Sequence, residues 1–203
     1  PLWLFYAESS TCTREADNFG TVFSPGGDIK VIKSADGREW SPPETVYAQK
    51  ADGGMPKVIA NKPVMSSDGT LNLPYWREDP GPLAACKIRK LLERSGTLRS
   101  EDGGRNWEPS ADIWHHKIKP GTLLLEGSIV AKRYGNLLQL FRSTSGRVFT
   151  SESETAGRFW MRPRPTDLPN PNSKIHVVML SNGVLALAYN HHEKLEDELG
   201  GIR

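Results

Sequence analysis

Residues 100–107 read Ser-Glu-Asp-Gly-Gly-Arg-Asn-Trp, and the spacing of the Ser, Asp, Gly and Trp in this stretch recurs elsewhere in the chain. A copy that is one residue shorter covers 34–40, and a third copy covers 153–160 with Thr155 in place of the Asp. A motif repeated at intervals of several tens of residues is typical of architectures built from repeated β-hairpins. The sequence therefore predicts an all-β fold made of repeated units.

The chemistry of this motif, which we call the Asp-box, predicts a tight turn between two strands. Asp and Ser side chains accept hydrogen bonds from backbone N–H groups in such turns, and Gly supplies the positive φ angles. We expect Trp40, Trp107 and Trp160 to pack between neighbouring sheets. No catalytic role is expected for the boxes, and the sequence around Asp102 lacks the spaced oxygen ligands of a calcium loop.

A second repeat lies between the boxes. Residues 63–75, 128–141 and 177–189 each read as two apolar strands about a turn that contains Gly. Their alternation with the box hairpins predicts a β-propeller of four-stranded antiparallel blades, each of about 40–50 residues. We therefore expect 1–203 to be a single partial propeller domain of roughly three to four blades, truncated at both ends. A closed four-bladed ring is the alternative.

Composition disfavours several classes of function. The net charge is +2 and the Lys and Arg residues are scattered, so nucleic-acid binding is not expected. No apolar run is long enough to span a membrane. Cys12 and Cys86 can pair or stay free, and neither they nor the adjacent His pairs match a metal site. We expect no metal and no cofactor, and the sequence leaves the oligomeric state open.

Polar residues gather at the open ends of the predicted inner hairpins, near the central axis of a propeller. Such a rim is where a ligand site is expected, with the Asp-boxes at the opposite end of the blades. Asn170 and Asn172 lie in a Pro-rich turn, where they either form the turn or bind a sugar, and their place on the rim favours sugar binding. The substrate-binding candidates are Arg142, Lys62, Asn61, Trp76, Glu78, Asn170, Asn172 and Asn190.

Glu126 and Arg142 form the most informative pair on this rim. Each follows an apolar strand, and the two stand nearly symmetrically about the turn between those strands. The pattern predicts that they are cross-strand neighbours. An ordinary ion pair that ties the hairpin together is the alternative to a functional site.

The motifs quoted above resemble those of the sialidase superfamily, and in particular of its BNR-repeat, sialidase-like branch. The resemblance covers most of the chain, including the Asp-boxes, 61–63, 126–142 and 168–173 with 189–191. It implies a six-bladed propeller and an exo-acting glycoside hydrolase that cleaves terminal sialic acid or a related acidic sugar. A glycan or glycoconjugate is then the partner, and a secreted or extracytoplasmic location is slightly favoured.

The resemblance also implies roles for individual residues. Glu126 would activate a Tyr nucleophile, and Arg142 would belong to an Arg triad that clamps the substrate carboxylate. Asp17 would be the general acid. The leading Arg of the triad is expected before Pro1, and the Tyr nucleophile is expected beyond Arg203.

Two other functions stay open at this point. A non-catalytic carbohydrate-binding propeller explains the fold equally well, because a fold alone does not define a function. A polysaccharide lyase or rhamnosidase-like propeller would instead use His176 or His191, together with Tyr189, for its proton transfers.

Overall fold

The computed structural model describes residues 1–9, 12–15, 22–81, 86, 88–89, 92–114, 118, 120–132 and 135–192. These residues form β-strands, antiparallel in every paired sheet, and one short 3-10 helix, which confirms the predicted all-β class for this part of the chain. None of the described residues belongs to a helix long and apolar enough to cross a membrane. The contacts divide the chain into two units, 1–59 with 76–93 and 60–75 with 94–203.

The first unit contains short sheets and a disulfide between Cys12 and Cys86, which the sequence had left open. Its strands are β1 (Leu2–Glu8), β2 (Arg14–Glu15), β3 (Val22–Phe23), β4 (Asp28–Ser34), β5 (Glu44–Tyr47) and β6 (Lys57–Val58), with the 3-10 helix at Gln49–Asp52. The order in its main sheet is β1, β4, β5, and β2 pairs with β3. Strand β6 pairs with Trp76 and Arg77.

The second unit contains one complete four-stranded sheet. The strands of the second unit are β7 (Val64–Met65), β8 (Leu71–Arg77, of which 71–75 belong to this unit), β9 (Ser95–Ser100), β10 (Glu108–Pro109), β11 (Leu124–Ala131), β12 (Leu137–Ser143), β13 (Arg147–Ser153), β14 (Arg164–Pro169), β15 (His176–Met179) and β16 (Leu185–Ala188). The four-stranded sheet consists of β11 to β14. Neighbours in sequence are neighbours in the sheet from β11 to β14, as predicted for a blade, and β15 pairs with β16. A six-bladed ring stays a prediction.

The inner hairpins and the third Asp-box occupy the predicted places. The three predicted inner hairpins are β7 with β8, β11 with β12, and β15 with β16. In the four-stranded sheet, Leu137 pairs with Ser153, where the third box begins, while Leu124 pairs with Ser143 near Glu126. The box is therefore at the opposite end of the sheet from Glu126, about five residues or roughly 17 Å along the strands.

The second Asp-box has the turn chemistry that its sequence predicts. The Asp102 carboxylate accepts the backbone N–H groups of Arg105 and Asn106 at 3.0 and 2.9 Å, and Ser100 Oγ accepts that of Gly104 at 2.8 Å. Hydrogen bonds from Asn106, from its backbone first, hold the pKa of the Asp102 carboxyl well below its usual range. The side chains therefore replace solvent as partners of the turn's amides.

The third box keeps this turn without its carboxylate. Thr155 Oγ1 accepts the backbone N–H of Phe159 at 2.9 Å, and Ser153 Oγ accepts that of Gly157 at 3.0 Å. A hydroxyl oxygen can take one of the contacts that an Asp makes, so the loss of the Asp does not abolish the turn.

The three box tryptophans are buried to different degrees. Trp160 packs on the cluster that contains Phe141, and Trp107 is half-buried with its Nε1 donating to Gly104 O at 3.2 Å. Trp40 is 39% exposed, so the prediction that all three pack between sheets is wrong for this residue. It belongs to the box that is one residue shorter than the others.

Strand β12 is buried on both faces. Phe141 packs with Ile113, Leu124 and Phe149 on one face, and Leu140 on the other packs in a cluster that includes strand β15. Apolar layers on both sides of a sheet are expected where neighbouring sheets stack, and these layers hold the ends of β12 in place.

We expect Phe141→Ala to lower the free energy of unfolding by about 3–5 kcal/mol, because it removes a fully buried ring from a packed cluster. Phe159→Ala is the control, because Phe159 is 60% exposed and its loss should change stability by about 0.5 kcal/mol or less. Urea unfolding followed by tryptophan fluorescence measures both values. Equal losses in the two variants would contradict this account of the core.

The first unit contains a fully buried lysine. Lys57 Nζ donates to the backbone oxygens of Ala48 and Gln49 at 3.0 and 2.8 Å and forms an ion pair with Asp52. Arg77 pairs with the same carboxylate, which also accepts Tyr47 OH at 3.0 Å. One carboxylate thus fixes β6, β8 and the 3-10 helix through its charge.

Burial would raise the pKa of the Asp52 carboxyl, but hydrogen bonds from Lys57 and Arg77 outweigh it and hold this pKa below its usual range. The charged carboxylate therefore stabilises the fold above the unfolded-state pKa of about 3.9, and this contribution is lost as the pH falls through the folded-state pKa. We expect Asp52→Asn to be less stable at neutral pH and to lose less stability in acid. Thermal unfolding between neutral and acid pH measures this, with the exposed Asp167→Asn as control. Parallel curves for wild type and Asp52→Asn would contradict the assignment.

Candidate functional site

A β-bulge interrupts strand β11 at the point where Glu126 lies. Leu125 pairs with Arg142, but Ser128 pairs with Leu140, so 126 and 127 together stand opposite one residue of β12. Glu126 has a φ of 49°, in the left-handed region that non-glycine residues seldom adopt. Strained backbone of this kind tends to occur at functional sites and suggests one here.

Gly127 makes the bulge sterically possible. A Cβ atom at this position would lie 2.0 Å from Gln139 Nε2, and the Gln139 side chain is fully buried. A side chain at 127 would therefore require the buried Gln139 side chain to move. A glycine directly after a charged residue, within an otherwise apolar strand, is the sequence signal that can indicate such a bulge.

The bulge brings the Glu126 carboxylate to the Arg142 guanidinium. Arg142 Nη1 lies 3.0 Å from Glu126 Oε1, and the two side chains are 25% and 16% exposed. Arg142 Nε also donates to Asn172 Oδ1 at 2.8 Å, and Asn172 itself has a φ of 62°. The predicted contact between Glu126 and Arg142 is therefore confirmed, although the bulge and not a direct cross-strand pairing makes it.

The second oxygen of the Glu126 carboxylate has no hydrogen-bond partner among the described residues. Glu126 Oε2 is buried and accepts no hydrogen bond from the described residues. A buried carboxylate oxygen with no donor is unfavourable, and groups of this kind in native proteins commonly serve a ligand or a reaction. This oxygen can accept a proton or a hydrogen bond from a group that enters the site.

Asn61 contacts the backbone of the bulge and not open space. Its Nδ2 donates to Glu126 O and Gly127 O, both at 2.9 Å, and its Oδ1 lies 3.0 Å from His176 Nδ1. Both amide hydrogens are thereby used, so the expectation that Asn61 binds substrate is not supported by this geometry. Its side chain supports Glu126 instead.

Asn170 is also occupied within the chain. It is fully buried, its Nδ2 donates to Ser173 O at 3.1 Å, and its Oδ1 accepts Ser173 N–H at 3.0 Å. An Asn side chain that bonds to the backbone in this way forms a turn. Asn170 is therefore a turn former, and the expectation that it binds a sugar is corrected.

The remaining candidates are spread over both units. In the second unit, Lys62 and Asn190 are exposed, and Asn190 Nδ2 donates to Ser173 Oγ at 3.0 Å. In the first unit, Trp76 is buried and its Nε1 donates to Glu78 Oε2 at 2.6 Å. Asp17 lies outside the described residues.

Two further side chains of the second unit, His176 and Ser128, contribute to this site, and neither is among the residues predicted for a site of sialidase type. His176 contacts Asn61, and Ser128 Oγ accepts the backbone N–H of Val177 at 3.0 Å, which ties β15 to β11. Their polar side chains at strand ends are the signal available in the sequence. Among the described residues, no group of three or more His, Cys, Asp or Glu side chains is placed to bind a metal ion.

Asp-box turns, a four-stranded antiparallel sheet and a charged pair at the end of that sheet away from the third box are typical of a sialidase-like β-repeat protein. In agreement, residues 1–200 match the family model of the BNR repeat-like domain, and the chain belongs to this family. No curated protein matches the chain.

Solved structures with a similar fold include sialidases. A variant of the NanB sialidase from Streptococcus pneumoniae matches with a TM-score of 0.62 and 17% identity over 87% of this chain and 27% of that one. The leech intramolecular trans-sialidase matches with a TM-score of 0.57 and 18% identity, over 87% of this chain and 26% of that one. A Hadza microbial sialidase matches with a TM-score of 0.56 and 18% identity, over 88% of this chain and 33% of that one. The chain thus spans about a quarter to a third of the length of these proteins, and the likeness concerns the fold.

The strain at residue 126 predicts an unusual order of stabilities. We expect Glu126→Gly to be more stable than Glu126→Ala by about 1 kcal/mol, because both lose the ion pair and glycine alone adopts a positive φ without strain. The control is Ala131→Gly in the same strand, where glycine should lower stability by about 0.5–1 kcal/mol. Chemical unfolding measures all three variants. An alanine as stable as glycine at position 126 would show that the bulge has relaxed.

Proposed function

We propose that this protein is an exo-acting glycoside hydrolase of sialidase type that cleaves terminal sialic acid or a related acidic sugar. The observation that carries the proposal is the Glu126–Arg142 pair, with its strained backbone and a carboxylate oxygen that has no partner in the described part of the chain. The membership of the BNR repeat-like domain family and the fold shared with solved sialidases support it.

Arg142 is the proposed ligand of the substrate carboxylate. Its contacts to Glu126 and Asn172 use two of the five N–H groups of a guanidinium, and its side chain is 25% exposed. The other N–H groups can bind a carboxylate through charge-assisted hydrogen bonds, which fix both the charge and the orientation of the sugar. The exposed cation of Lys62 adds to the positive potential of this unit.

Glu126 is the proposed base. Its free oxygen Oε2 would take the proton of a tyrosine as the phenol oxygen attacks the anomeric carbon, and Asp17 would protonate the leaving oxygen. A phenol suits this role, because a carboxylate nucleophile would be repelled by the acid group of the sugar. Water then hydrolyses the glycosyl intermediate. We assign the tyrosine to no residue of this chain.

The proposal is tested with fluorogenic sialosides and matched neutral and uronic-acid glycosides, using protein from the complete reading frame. We expect Glu126→Gln to lower kcat by about 10²–10⁴-fold, because an amide cannot take the proton. Arg142→Ala should mainly raise KM, because it removes a contact to the bound substrate. The exposed Arg162→Ala is the matched control and should leave both constants unchanged. A wild-type protein that cleaves none of these glycosides would refute the proposal and favour the carbohydrate-binding alternative.

A second candidate function rests on a different contact. Tyr189 OH and His191 Nδ1 form a short hydrogen bond, and the two rings meet edge to face at 5.5 Å between centroids. A phenol paired with an imidazole can move a proton, as elimination from a uronic acid requires. Release of unsaturated sugar from uronate-containing polysaccharides, lost in Tyr189→Phe, would favour this lyase reaction over hydrolysis.

A further inference from the structure

Asn61 joins three strands of the second unit through one side chain. It lies just before β7, donates to the bulge of β11, and meets His176 at the start of β15. All three contacts are between 2.9 and 3.0 Å, and the partners are 65 and 115 residues away in sequence. A network of this span fixes the local geometry more strongly than a contact within one turn.

The network determines which nitrogen of the neutral His176 ring carries the proton. Backbone carbonyls only accept hydrogen bonds, so the Asn61 atom between Glu126 O and Gly127 O must be the Nδ2 amino group. Asn61 Oδ1 then faces His176 Nδ1 as an acceptor, so Nδ1 must carry a proton. The neutral imidazole is therefore the Nδ1–H tautomer, with Nε2 unprotonated.

The two carbonyls held by Asn61 belong to the strained peptides of the bulge. Ladder pairing stops between Leu125 and Ser128, so the backbone groups of 126 and 127 lose their regular partners there. Asn61 supplies two donors at this gap. Without the two Asn61 N–H groups, the carbonyls of 126 and 127 would lose these hydrogen bonds, and the left-handed conformation of Glu126 would be held less firmly.

We propose that Asn61 and His176 are positioning residues: His176 Nδ1–H orients the Asn61 amide, which holds the bulge so that Glu126 Oε2 points to its reaction partner. This inference rests on the proposed function, since it gives these residues a role in the same site. It differs from the expectation that Asn61 binds substrate, because it leaves the Asn61 side chain no hydrogen to donate to a sugar. A displacement of about 1 Å at a reacting group can lower a rate about 10²-fold.

The test compares variants that keep or remove one donor each. His176→Asn places an amide N–H near the position of Nδ1, whereas His176→Leu has none. Asn61→Asp keeps the shape of Asn61 but cannot donate to the two carbonyls. We expect His176→Leu and Asn61→Asp to lower kcat about 10–100-fold with KM changed less than about threefold, and His176→Asn to recover most of kcat. The exposed His192→Leu is the control and should match wild type.

Thermal unfolding of the same proteins separates positioning from stability. The His176 pair should have similar Tm values while differing in kcat. Equal kcat in His176→Asn and His176→Leu, or wild-type kcat in Asn61→Asp, would overturn the inference. A loss of kcat that follows Tm across all the variants would also overturn it, because it would indicate a purely structural role.

A measurement that needs no activity distinguishes failure of this inference from failure of the proposed function. In protein labelled with ¹⁵N-histidine, the His176 ring should show a proton on Nδ1, and Asn61→Ala should change the tautomer signal. A proton on Nε2 in the wild type would overturn the network even if the enzyme is active. If the wild type cleaves no glycoside, the proposed function fails and the positioning role fails with it, whereas the Nδ1 signal and its response to Asn61→Ala still decide whether the hydrogen-bond network exists. If the wild type is active but the Nδ1 signal is absent, the positioning inference alone fails.

Discussion

The extra residue in strand β11 is the constraint on which the site depends. Residues alternate between the faces of a strand, so in an unbroken ladder the residue after Leu125 would point away from the face that carries Arg142. The bulge changes this alternation by one position and lets Glu126 reach Arg142. The left-handed backbone of Glu126 costs about 1–2 kcal/mol, and the chain offsets it with the ion pair and the hydrogen bonds from Asn61.

The two ends of the four-stranded sheet are stabilised by different kinds of contact. At one end, the third Asp-box closes its turn mainly with its own Ser and Thr hydroxyls, and from another strand Arg99 Nε donates to Ala156 O at 2.9 Å. At the other end, the contacts come from residues far away in sequence: Asn61 donates to the backbone of Glu126, and Asn172 accepts from Arg142. Local contacts therefore define the boxes, whereas the candidate site requires neighbouring sheets of this unit to be stacked first.

This difference explains what the sequence could predict. The box turns and the inner hairpins follow from local patterns of Ser, Asp and Gly and from apolar alternation, and they were predicted with the correct strand order. The contact between Glu126 and Arg142 also followed from the sequence, because the two residues stand nearly symmetrically about the turn of one hairpin. The bulge did not follow, because register depends on packing against Gln139, which only the folded chain reveals.

The asparagines show why the rest of the site was harder to predict. An Asn side chain serves a backbone turn, a neighbouring strand or a ligand with the same atoms, and its sequence context does not distinguish these uses. Asn61 and Asn170 proved to be bonded to backbone, and Asn172 to Arg142. For Asn61 the neighbours in sequence give no sign of this use, since its partners are 65, 66 and 115 residues away.

With the Asn61 and Asn170 amides occupied, the charged groups of the ion pair are the main candidates for contact with a ligand in the proposed site. They are the N–H groups of Arg142 and the buried oxygen of Glu126, which lie side by side in one ion pair. A neutral sugar would satisfy neither fully, whereas an anion with a proton donor close to its carboxylate would satisfy both. In the proposed site the asparagines would therefore act indirectly: by holding the bulge, the turn and the guanidinium, they would leave recognition to Arg142 and Glu126.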